Sequence, residues 1–498
     1  MIISDENKVL KNIFFSIFNQ VLLMSFSFVI PRLFILAYGS EVNGLFMFIG
    51  QVFSYSIILE MGLGVSTIQA LYRPIGIHDR DTISAILVAA KVHYKRISLR
   101  YLIVVFIFAI VYSLSFKSEL SKVSIFLIIL LQGLSGVINF YLFSTLKQLF
   151  IADGKSYLIS NITTVFTLLT YLVKIVLIYY HSDIVLLQFS FFLISVFQTF
   201  IFIKFFKEKY PWIDFTSKPN FSYFNQNRSI LIHQISGLIF SSTNIIVLSI
   251  FCDFTTVSIY STYSIVVFAL YSLISTTTSS LQFVIGQSYH NNKSIFIKKF
   301  ENYNLLLIII VYFTVTVIYF IFNPFIFIYT KGADVNYVQP ILPLLFCIIQ
   351  LLDANRIFSS GLIVAAGFMK ETVNNTIIEA SVNLFTSIIL VHFYGITGVL
   401  MGTIIALFYR SNDIILFVSK HILKRSSWIA YKPIVVNLVI FIFFIISKEF
   451  YIFKPLNLIE LFIKGFELML IVGSIFFTIN YLIFGKQLAF FKKNNAID

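Results

Sequence analysis

The stretch VIPRLFILAYGSEVNG, residues 29–44, places a proline and an arginine inside a long apolar run. Upstream, residues 12–30 carry no charged side chain, and five apolar residues separate Arg32 from Tyr38 and Gly39. An apolar segment of about 20 residues is long enough to cross the hydrocarbon core of a bilayer as a helix. The stretch therefore predicts the end of a first transmembrane helix, with Arg32 in its outer part, and a turn at residues 39–44.

The composition extends this interpretation to the whole chain. Hydrophobic residues make up 58% of the 498 residues, charged residues only 12%, and the mean hydropathy is +0.92. Soluble domains carry about 25% charged residues. Because lipid cannot satisfy backbone hydrogen bonds, segments that cross it as single elements must be helical. The sequence thus predicts an all-α polytopic membrane protein.

Fourteen apolar segments are long enough to be transmembrane candidates. They lie near residues 12–38, 42–70, 97–116, 123–147, 157–180, 184–206, 229–251, 256–286, 303–328, 338–368, 372–393, 396–422, 433–448 and 463–484. Threading the chain through the bilayer from the inside puts 27 of the 36 Lys and Arg residues at the cytoplasmic ends and 6 outside. Cytoplasmic loops are enriched in Lys and Arg, so both termini are expected in the cytoplasm.

The net charge of +14 has the same explanation. The cations recur between apolar segments and do not form one basic face, which favours a topology signal over a nucleic-acid partner. The partner that the composition does predict is the lipid bilayer.

A weak internal repeat divides the chain. Residues 152–154, followed by Asn161, resemble residues 365–367, followed by Asn374, and the same offset of 213 relates both pairs. Six helices are an even number, so two six-helix lobes would share one orientation, as in the parallel repeats of some transporters. We expect an N-lobe at residues 1–206 (helices 1–6), a basic cytoplasmic linker at 207–228, a C-lobe at 229–422 (helices 7–12), and two more helices with a cytoplasmic tail at 423–498.

Enzyme motifs are absent from the sequence. It contains no HExxH, no GxSxG and no CxxC pair, and its two cysteines, Cys252 and Cys347, lie far apart. The predicted external turns are short, whereas polytopic glycosyltransferases usually need acidic residues beside a sizeable extramembrane domain. We therefore expect no enzyme, no catalytic residues, no metal site and no cofactor.

Charged side chains deep in the predicted spans are the main functional signal. A charge at the bilayer centre costs about 2.5–3.5 kcal/mol on insertion scales, so such residues usually face a protein interior or a wet cavity. Six lie deep enough to matter: Arg32, Glu60, Lys174, Asp353, Arg356 and Glu379.

Each of these charges has a structural alternative. Arg32 follows helix-bending Pro31 and either lines a cavity or extends to the outer interface, and Lys174 leaves the same two options. Asp353 and Arg356, three residues apart, lie on one helix face and either neutralise each other or line a pathway. Glu60 stands beside two glycines that allow close packing or a break in the helix. It either takes up a proton or pairs with a cavity cation, or it is a buried carboxylate that is neutral or hydrogen-bonded. Glu379 lies nearer the cytoplasmic side, where a structural or interfacial role is at least as well supported.

The balance of these charges indicates an anionic ligand. If Glu379 is peripheral, Glu60 is protonated and Asp353 offsets Arg356, the remaining charges make a mildly cationic cavity. Cations in a low dielectric suit a phosphate or pyrophosphate group, and arginine binds it through two parallel hydrogen bonds. A sugar attached to this group could occupy water while a lipid tail stays in the bilayer.

Residues 30–75 resemble a known family. The segment YGSEVNGL (38–45), preceded by Pro31 and Arg32, is similar to the first hairpin of bacterial polysaccharide flippases, and EMGLG (60–64) and IQALYRP (68–74) extend the match. These flippases are the Wzx-like members of the polysaccharide transporter family, in the multidrug/oligosaccharidyl-lipid/polysaccharide (MOP) exporter superfamily. Elsewhere the resemblance rests on the helix count, the two lobes and the Ala-Asp-Gly turn at 152–154.

The resemblance implies a two-lobe carrier in the bacterial inner membrane that works by alternating access. It would move undecaprenyl-pyrophosphate-linked oligosaccharide units from the cytoplasmic to the outer leaflet for O-antigen or capsule export, beside a polysaccharide polymerase and chain-length proteins. Arg32, Lys174 and Arg356 would then contact the pyrophosphate, and Glu60 and Asp353 would couple transport to protons or sodium. A cation-coupled exporter of small amphiphiles, or a membrane-bound polymerase or glycosyltransferase, remains an alternative.

Overall fold

A computed structural model of the chain describes residues 2–60, 62–115, 118–223, 228–291, 293–448, 453 and 455–488. Within these residues the secondary structure is helical, with no β-strand, which confirms the predicted fold class. The chain forms two compact units, Met1–Leu238 and Ile239–Asp498.

The first unit contains eight α-helices and the start of a ninth. They are α1 (Ile2–Ser54), α2 (Ile57–Glu60), α3 (Leu63–Gly76), α4 (Arg80–Ser115), α5 (Lys122–Ile138), α6 (Ser144–Ala152), α7 (Ser156–Tyr179), α8 (Ile184–Lys209) and α9 (Arg228–Phe251). A π-helical turn, Asn139–Phe143, joins α5 to α6, so these two form one continuous span. A short 3₁₀ turn, Phe221–Tyr223, precedes α9.

The second unit starts within α9 and contains the remaining helices. They are α10 (Phe254–Asn291), α11 (Lys293–Tyr329), α12 (Leu342–Ala365), α13 (Val373–Phe417), α14 (Trp428–Ser447) and α15 (Leu458–Leu488), with a π-helical turn at Val418–Ile422 after α13. Helices α14 and α15 pack against α11. Asn437 and Asn480, both fully buried, join α14 to α15 through two reciprocal amide hydrogen bonds of 3.1 and 2.9 Å.

Twelve helical segments of the described chain are long and apolar enough to cross a membrane. Two of them, in α1 and α13, contain a glycine with non-helical backbone angles, Gly39 (φ 86°) and Gly395 (φ 54°). Positive φ strains any residue with a Cβ, so glycine can reverse the chain here at little cost. Dividing both helices at these glycines gives the fourteen spans predicted. The turn expected over residues 39–44 is narrower, because the helix resumes immediately after Gly39.

Helix α4 shows how the units meet lipid. Large apolar side chains such as Leu99, Ile103 and Ile107 are exposed at a spacing of four residues, whereas Tyr94, Tyr101 and other residues of the opposite face are buried. A contiguous apolar stripe of this kind would be unstable in water. It is the expected surface of a helix whose outer face is solvated by acyl chains.

Glycines allow α5 to approach α4 closely. A Cβ built on Gly133 would lie 2.3 Å from Val105 Cγ1, and one on Gly136 would lie 2.7 Å from Tyr101 Cε1. Small residues at helix crossings are the usual means of tight packing in membranes, where burial of apolar surface gives no extra driving force.

The internal repeat is visible in the hydrogen bonds of two turns. After α6, the amides of residues 153, 154 and 155 donate to the carbonyls of residues 149, 151 and 150. After α12, the amides of residues 366, 367 and 368 donate to those of 362, 364 and 363, so every donor and acceptor is shifted by 213. Gly154 and Gly367 both have positive φ, as this helix-ending motif requires.

The start of the expected linker packs on α4. The amide of Asp214 donates to Ser84 Oγ at 3.3 Å, that of Asn220 donates to the Ala85 carbonyl at 3.3 Å, and the Arg80 guanidinium lies over the Trp212 ring at 5.3 Å. Hydrogen bonds from Thr216 lower the pKa of the Asp214 carboxyl. Residues 210–223 thus belong structurally to the first unit.

Candidate functional site

Arg32 and Lys174 lie on neighbouring helices of the first unit. Helices α1 and α7 run parallel, because Phe26 stacks on Tyr171 at 5.2 Å between ring centroids and Tyr38 Oη donates to the Ser182 carbonyl at 2.8 Å. Arg32 lies about two helical turns beyond Phe26, and Lys174 about one turn beyond Tyr171. Both cations therefore occupy the stretch between these two contacts, towards the same ends of α1 and α7.

Neither cation has a carboxylate partner among the residues that the structure describes. In the described part of the chain, the Arg32 side chain forms no hydrogen bond or ion pair, and the Lys174 ammonium lies over the face of the Phe191 ring, 5.4 Å from its centroid. Both side chains are half-buried. An uncompensated charge in an apolar helix pair is costly, so these two side chains can gain free energy by binding an anion.

Glu60 belongs to a hydrogen-bonded group with Tyr94 and Gln148. The Tyr94 hydroxyl donates to Glu60 Oε1 at 2.8 Å, and the Gln148 amide donates to Tyr94 Oη at 3.1 Å and to Glu60 Oε1 at 3.4 Å. Tyr94 and Gln148 are buried and Glu60 is half-buried. Gly64 leaves room for the group, since a Cβ there would lie 3.0 Å from Gln148 Nε2.

The second unit contains a buried network of charges centred on Glu379. Arg356 Nε donates to Asp353 Oδ1 at 2.7 Å, and Arg356 Nη1 donates to Glu379 Oε1 at 2.5 Å. Arg410 Nε lies 3.3 Å from Glu379 Oε2. Glu379 is only 6% exposed. Glu379 is therefore not peripheral, so the condition under which the charge balance was drawn up does not hold, and its contacts fit the structural alternative.

The network continues along the second half of α13. Arg410 pairs with Asp413 and donates to Thr376 Oγ1 at 2.9 Å, while Asn375 Nδ2 donates to Asp413 at 2.6 Å. Asp353, Glu379 and Asp413 supply three carboxylates against two guanidiniums, a formal excess of one negative charge. The mildly cationic balance expected from the sequence therefore does not describe this group of residues.

An uncharged cluster lies elsewhere in the same unit. Thr403 Oγ1 donates to Asn244 Oδ1 at 3.0 Å and lies 3.3 Å from Asn383 Oδ1, and Ser387 Oγ donates to Asn383 Oδ1 at 3.1 Å. These bonds join α9 to both halves of α13. Among the described residues, no group of three or more His, Cys, Asp and Glu side chains has the arrangement of a metal site.

Four members of these groups were not predicted from the sequence: Arg410, Asp413, Tyr94 and Gln148. Arg410 is one of the 27 cations that the topology places at cytoplasmic ends, yet it is only 5% exposed. A usable signal exists for it: Glu379 and Arg410 lie 16 and 15 residues from Gly395, and a hairpin at that glycine brings equidistant residues together. No comparable signal points to Tyr94 and Gln148, because their contacts with Glu60 join three separate helices.

Comparisons with solved structures identify the fold. The lipid II flippase MurJ in an inward closed conformation matches with a TM-score of 0.65 at 14% identity, over 95% of this chain and 99% of that one. An inward-facing MATE family multidrug resistance transporter of the MOP superfamily matches with a TM-score of 0.60 at 17% identity, over 79% and 93%. A MOP superfamily transporter from Pyrococcus furiosus matches with a TM-score of 0.55 at 15% identity, over 85% and 97%.

No family model matches the chain, and no curated protein sequence is similar enough to count as a match. At 14–17% identity, the structural similarities establish the fold and leave the substrate open. The chain is a multi-pass membrane protein with the fold of MOP superfamily transporters.

Proposed function

We propose that the protein is a flippase for undecaprenyl-pyrophosphate-linked oligosaccharides, which it moves from the cytoplasmic to the outer leaflet of the bacterial inner membrane by alternating access. The observation that carries the proposal is the pair of cations without carboxylate partners, Arg32 and Lys174, on adjacent helices of the first unit. Their two positive charges complement a pyrophosphate, and a guanidinium can bind two of its oxygens at once.

The extent of the structural matches supports a flippase over a drug exporter. The match with the lipid II flippase leaves out only 5% of this chain. Helices α14 and α15 contain 20 and 31 residues, which is more than this unmatched part. The match therefore includes part of these two helices. The MATE transporter and the Pyrococcus furiosus transporter leave out 21% and 15%. The alternative, a cation-coupled exporter of small amphiphiles, is supported by the multidrug resistance transporter, which matches less of this chain.

Arg356 is the third proposed pyrophosphate contact, and its surroundings set a condition on that role. Its guanidinium already bonds to Asp353 and Glu379, so it can reach a substrate only by exchanging one carboxylate for a phosphate oxygen. The displaced carboxylate would then need a proton or a cation. We therefore propose Asp353, together with Glu60 of the first unit, as a coupling carboxylate.

The test is complementation of a flippase-deficient strain combined with measurement of the leaflet that holds the lipid-linked oligosaccharide. Arg32→Ala and Lys174→Ala should reduce transport at least tenfold and leave substrate in the cytoplasmic leaflet, because each removes one of two charges that offset the desolvated anion. Arg32→Lys and Lys174→Arg keep the charge and should retain partial transport. Lys122→Ala, an exposed lysine at the start of α5, is the matched control.

Full transport by both alanine variants, at wild-type protein levels, would contradict the pyrophosphate assignment. If depletion of the wild-type protein causes no build-up in the cytoplasmic leaflet, the flippase proposal itself fails. Increased drug tolerance on expression in an efflux-deficient strain would then favour the exporter.

A further inference from the structure

Four basic side chains within ten residues of α4 are exposed. They are Lys91, Lys95, Arg96 and Arg100, and they are called the basic edge below. The sequence has no acidic residue between Asp81 and Glu119 that could offset them from their own helix. In the described part of the chain, none of the four forms an ion pair with a carboxylate. The basic edge is therefore a local concentration of uncompensated positive charge.

The basic edge continues the apolar face that α4 exposes to lipid. Arg96 lies seven residues before Ile103, and Arg100 lies seven residues before Ile107. Seven residues are close to two helical turns, so each arginine shares a side of the helix with an exposed apolar side chain. Exposed apolar residues follow on this side as far as Leu114. One face of α4 thus changes from cationic to apolar along its length.

The length of α4 places this change at a membrane surface. Its 36 residues extend over about 54 Å, whereas the hydrocarbon core of a bilayer is about 30 Å thick. The exposed large apolar side chains are confined to the part from Leu99 to Leu114. Because an arginine inside the hydrocarbon is costly, the boundary between acyl chains and headgroups falls near Arg100. The basic edge lies at the level of the phosphates of one leaflet.

Residues 210–223 border the basic edge without neutralising it. The Lys91 ammonium lies over the Phe215 ring, 4.8 Å from its centroid. Asp214 is the one acidic residue in this segment, and its carboxylate accepts hydrogen bonds from the Thr216 amide and hydroxyl at 2.8 and 2.6 Å. This carboxylate is therefore engaged in its own turn. Lys91 is held at one side of the basic edge, and the positive charge of the four side chains is retained.

We propose that the basic edge binds the phosphate group of an anionic phospholipid, whose acyl chains lie along the exposed face of α4 from Leu99 to Leu114. Clusters of four or more Lys and Arg at the headgroup end of a membrane helix attract anionic lipids, and a guanidinium can bind two oxygens of one phosphate. The occupant is a bilayer lipid and not the transported substrate. A substrate must reach the polar interior, whereas this face is exposed to lipid along its apolar length.

The end of α8 provides a contrast within the same unit. Lys204, Lys207 and Lys209 are also exposed there, close to the exposed apolar Phe200. Glu208 lies among these lysines, and the unpaired carbonyls at the end of a helix carry partial negative charge. The positive field is therefore weaker than at the basic edge. Cations that only mark topology would enrich anionic lipid equally at both places, whereas a binding site would enrich it at α4.

Local fluorescence quenching in the full-length protein tests this proposal. Leu99→Cys and Phe200→Cys are each made in a chain with Cys252→Ser and Cys347→Ala, labelled with a bimane fluorophore and placed in phosphatidylcholine nanodiscs. The nanodiscs contain a small fraction of phosphatidylglycerol with brominated acyl chains, and bromine quenches the fluorophore on contact. Brominated phosphatidylcholine at the same fraction calibrates each position. We expect phosphatidylglycerol to be enriched about threefold over the bulk at position 99 and to be near its bulk fraction at position 200.

Charge variants at the two places make the test specific. Arg96→Gln combined with Arg100→Gln should reduce the quenching at position 99 to the phosphatidylcholine level, because both guanidiniums at the headgroup boundary are removed. The matched control, Lys204→Gln combined with Lys207→Gln, removes the same number of exposed charges from the end of α8 and should leave that quenching unchanged. Thermal unfolding midpoints equal to that of the parent chain show that each variant is folded.

Equal enrichment at positions 99 and 200, or equal loss of quenching at position 99 in both double variants, would overturn the proposal in favour of a general surface charge. Displacement of the brominated lipid by a polyprenyl pyrophosphate at a far lower concentration than by unbrominated phosphatidylglycerol would also overturn it, because the basic edge would then be a substrate contact. The quenching measurement itself requires no transported substrate, so its result is independent of the flippase proposal.

Discussion

At the scale of single residues, the two units differ in whether their embedded cations have carboxylate partners. In the first unit, Arg32 and Lys174 have no carboxylate partner among the described residues, whereas in the second unit Arg356 and Arg410 share Glu379. Burying paired charges rarely adds stability over an apolar core, because desolvation offsets most of the attraction. Removing one member of a buried pair does lower the free energy of unfolding, because the remaining charge is then buried without compensation.

Arg410→Met should therefore destabilise the protein strongly. Arg410 pairs with Asp413, lies 3.3 Å from Glu379 and donates to Thr376, so its loss leaves two carboxylates with fewer partners. We expect a loss of about 3–5 kcal/mol in the free energy of unfolding. The measurement is reversible unfolding in detergent micelles, followed by circular dichroism.

Two further variants make that result specific. Arg410→Met combined with Glu379→Gln should recover part of the lost stability, because one uncompensated charge is removed together with its partner. Arg100→Met replaces an exposed arginine of α4 and should change stability by less than about 0.5 kcal/mol. A change of that small size for Arg410→Met would show that the network is not a structural unit.

At the scale of elements, the hairpin within α13 depends on close contact between its two halves. A Cβ on Gly398 would lie 2.1 Å from the Leu390 carbonyl oxygen, and one on Gly402 would lie 2.5 Å from Ser387 Oγ. The contact at Gly398 is with backbone atoms, which cannot rotate away as a side chain can. Glycine is therefore required there by the approach of the second half of α13 to the first.

Gly398→Ala should reduce the stability of the protein by about 1–3 kcal/mol or more, because the backbone of one half must shift. Gly50→Ala is the matched control within a helix. No atom lies within 4 Å of a Cβ at Gly50, so alanine should be neutral or slightly stabilising there. Thermal unfolding of both variants under identical conditions measures the difference, and equal midpoints would rule out the close approach.

The fold was predictable from the sequence to the extent that it depends on local pattern. Hydropathy located the spans, and the offset of 213 between residues 152–154 and 365–367 recurs in the hydrogen bonds of the two turns. The two glycines of residues 60–64 allow a break in the second span, and Gly62 has a positive φ, but hydropathy does not show the earlier end of α1 at Ser54. The meeting of Glu379 with Arg410 depends on the hairpin at Gly395, so hydropathy alone could not give it.

At the scale of the whole molecule, the orientation in the membrane is the remaining premise of the proposed function. It rests on the distribution of Lys and Arg, with 27 residues on one side and 6 on the other. The turn between α7 and α8 should lie outside, and the end of α8 should lie in the cytoplasm. This orientation places Arg32 and Lys174 in the outer half of their helices.

Labelling with a membrane-impermeant maleimide tests this orientation. Tyr180→Cys, at an exposed position after α7, should be labelled in intact cells, whereas Glu208→Cys, at an exposed position near the end of α8, should be labelled only after permeabilisation. Both substitutions are made in a chain with Cys252→Ser and Cys347→Ala. Burial and the neighbouring Asp253 raise the pKa of the Cys252 thiol, so even the native cysteine holds little reactive thiolate at neutral pH.

The reverse labelling pattern would leave the fold as described and would alter the proposed mechanism. Arg32 and Lys174 would then lie in the cytoplasmic half of the bilayer, where they would bind a pyrophosphate before its transfer. In the predicted orientation they lie near the outer leaflet, so a substrate drawn towards them from the cytoplasmic side has already moved most of the way across.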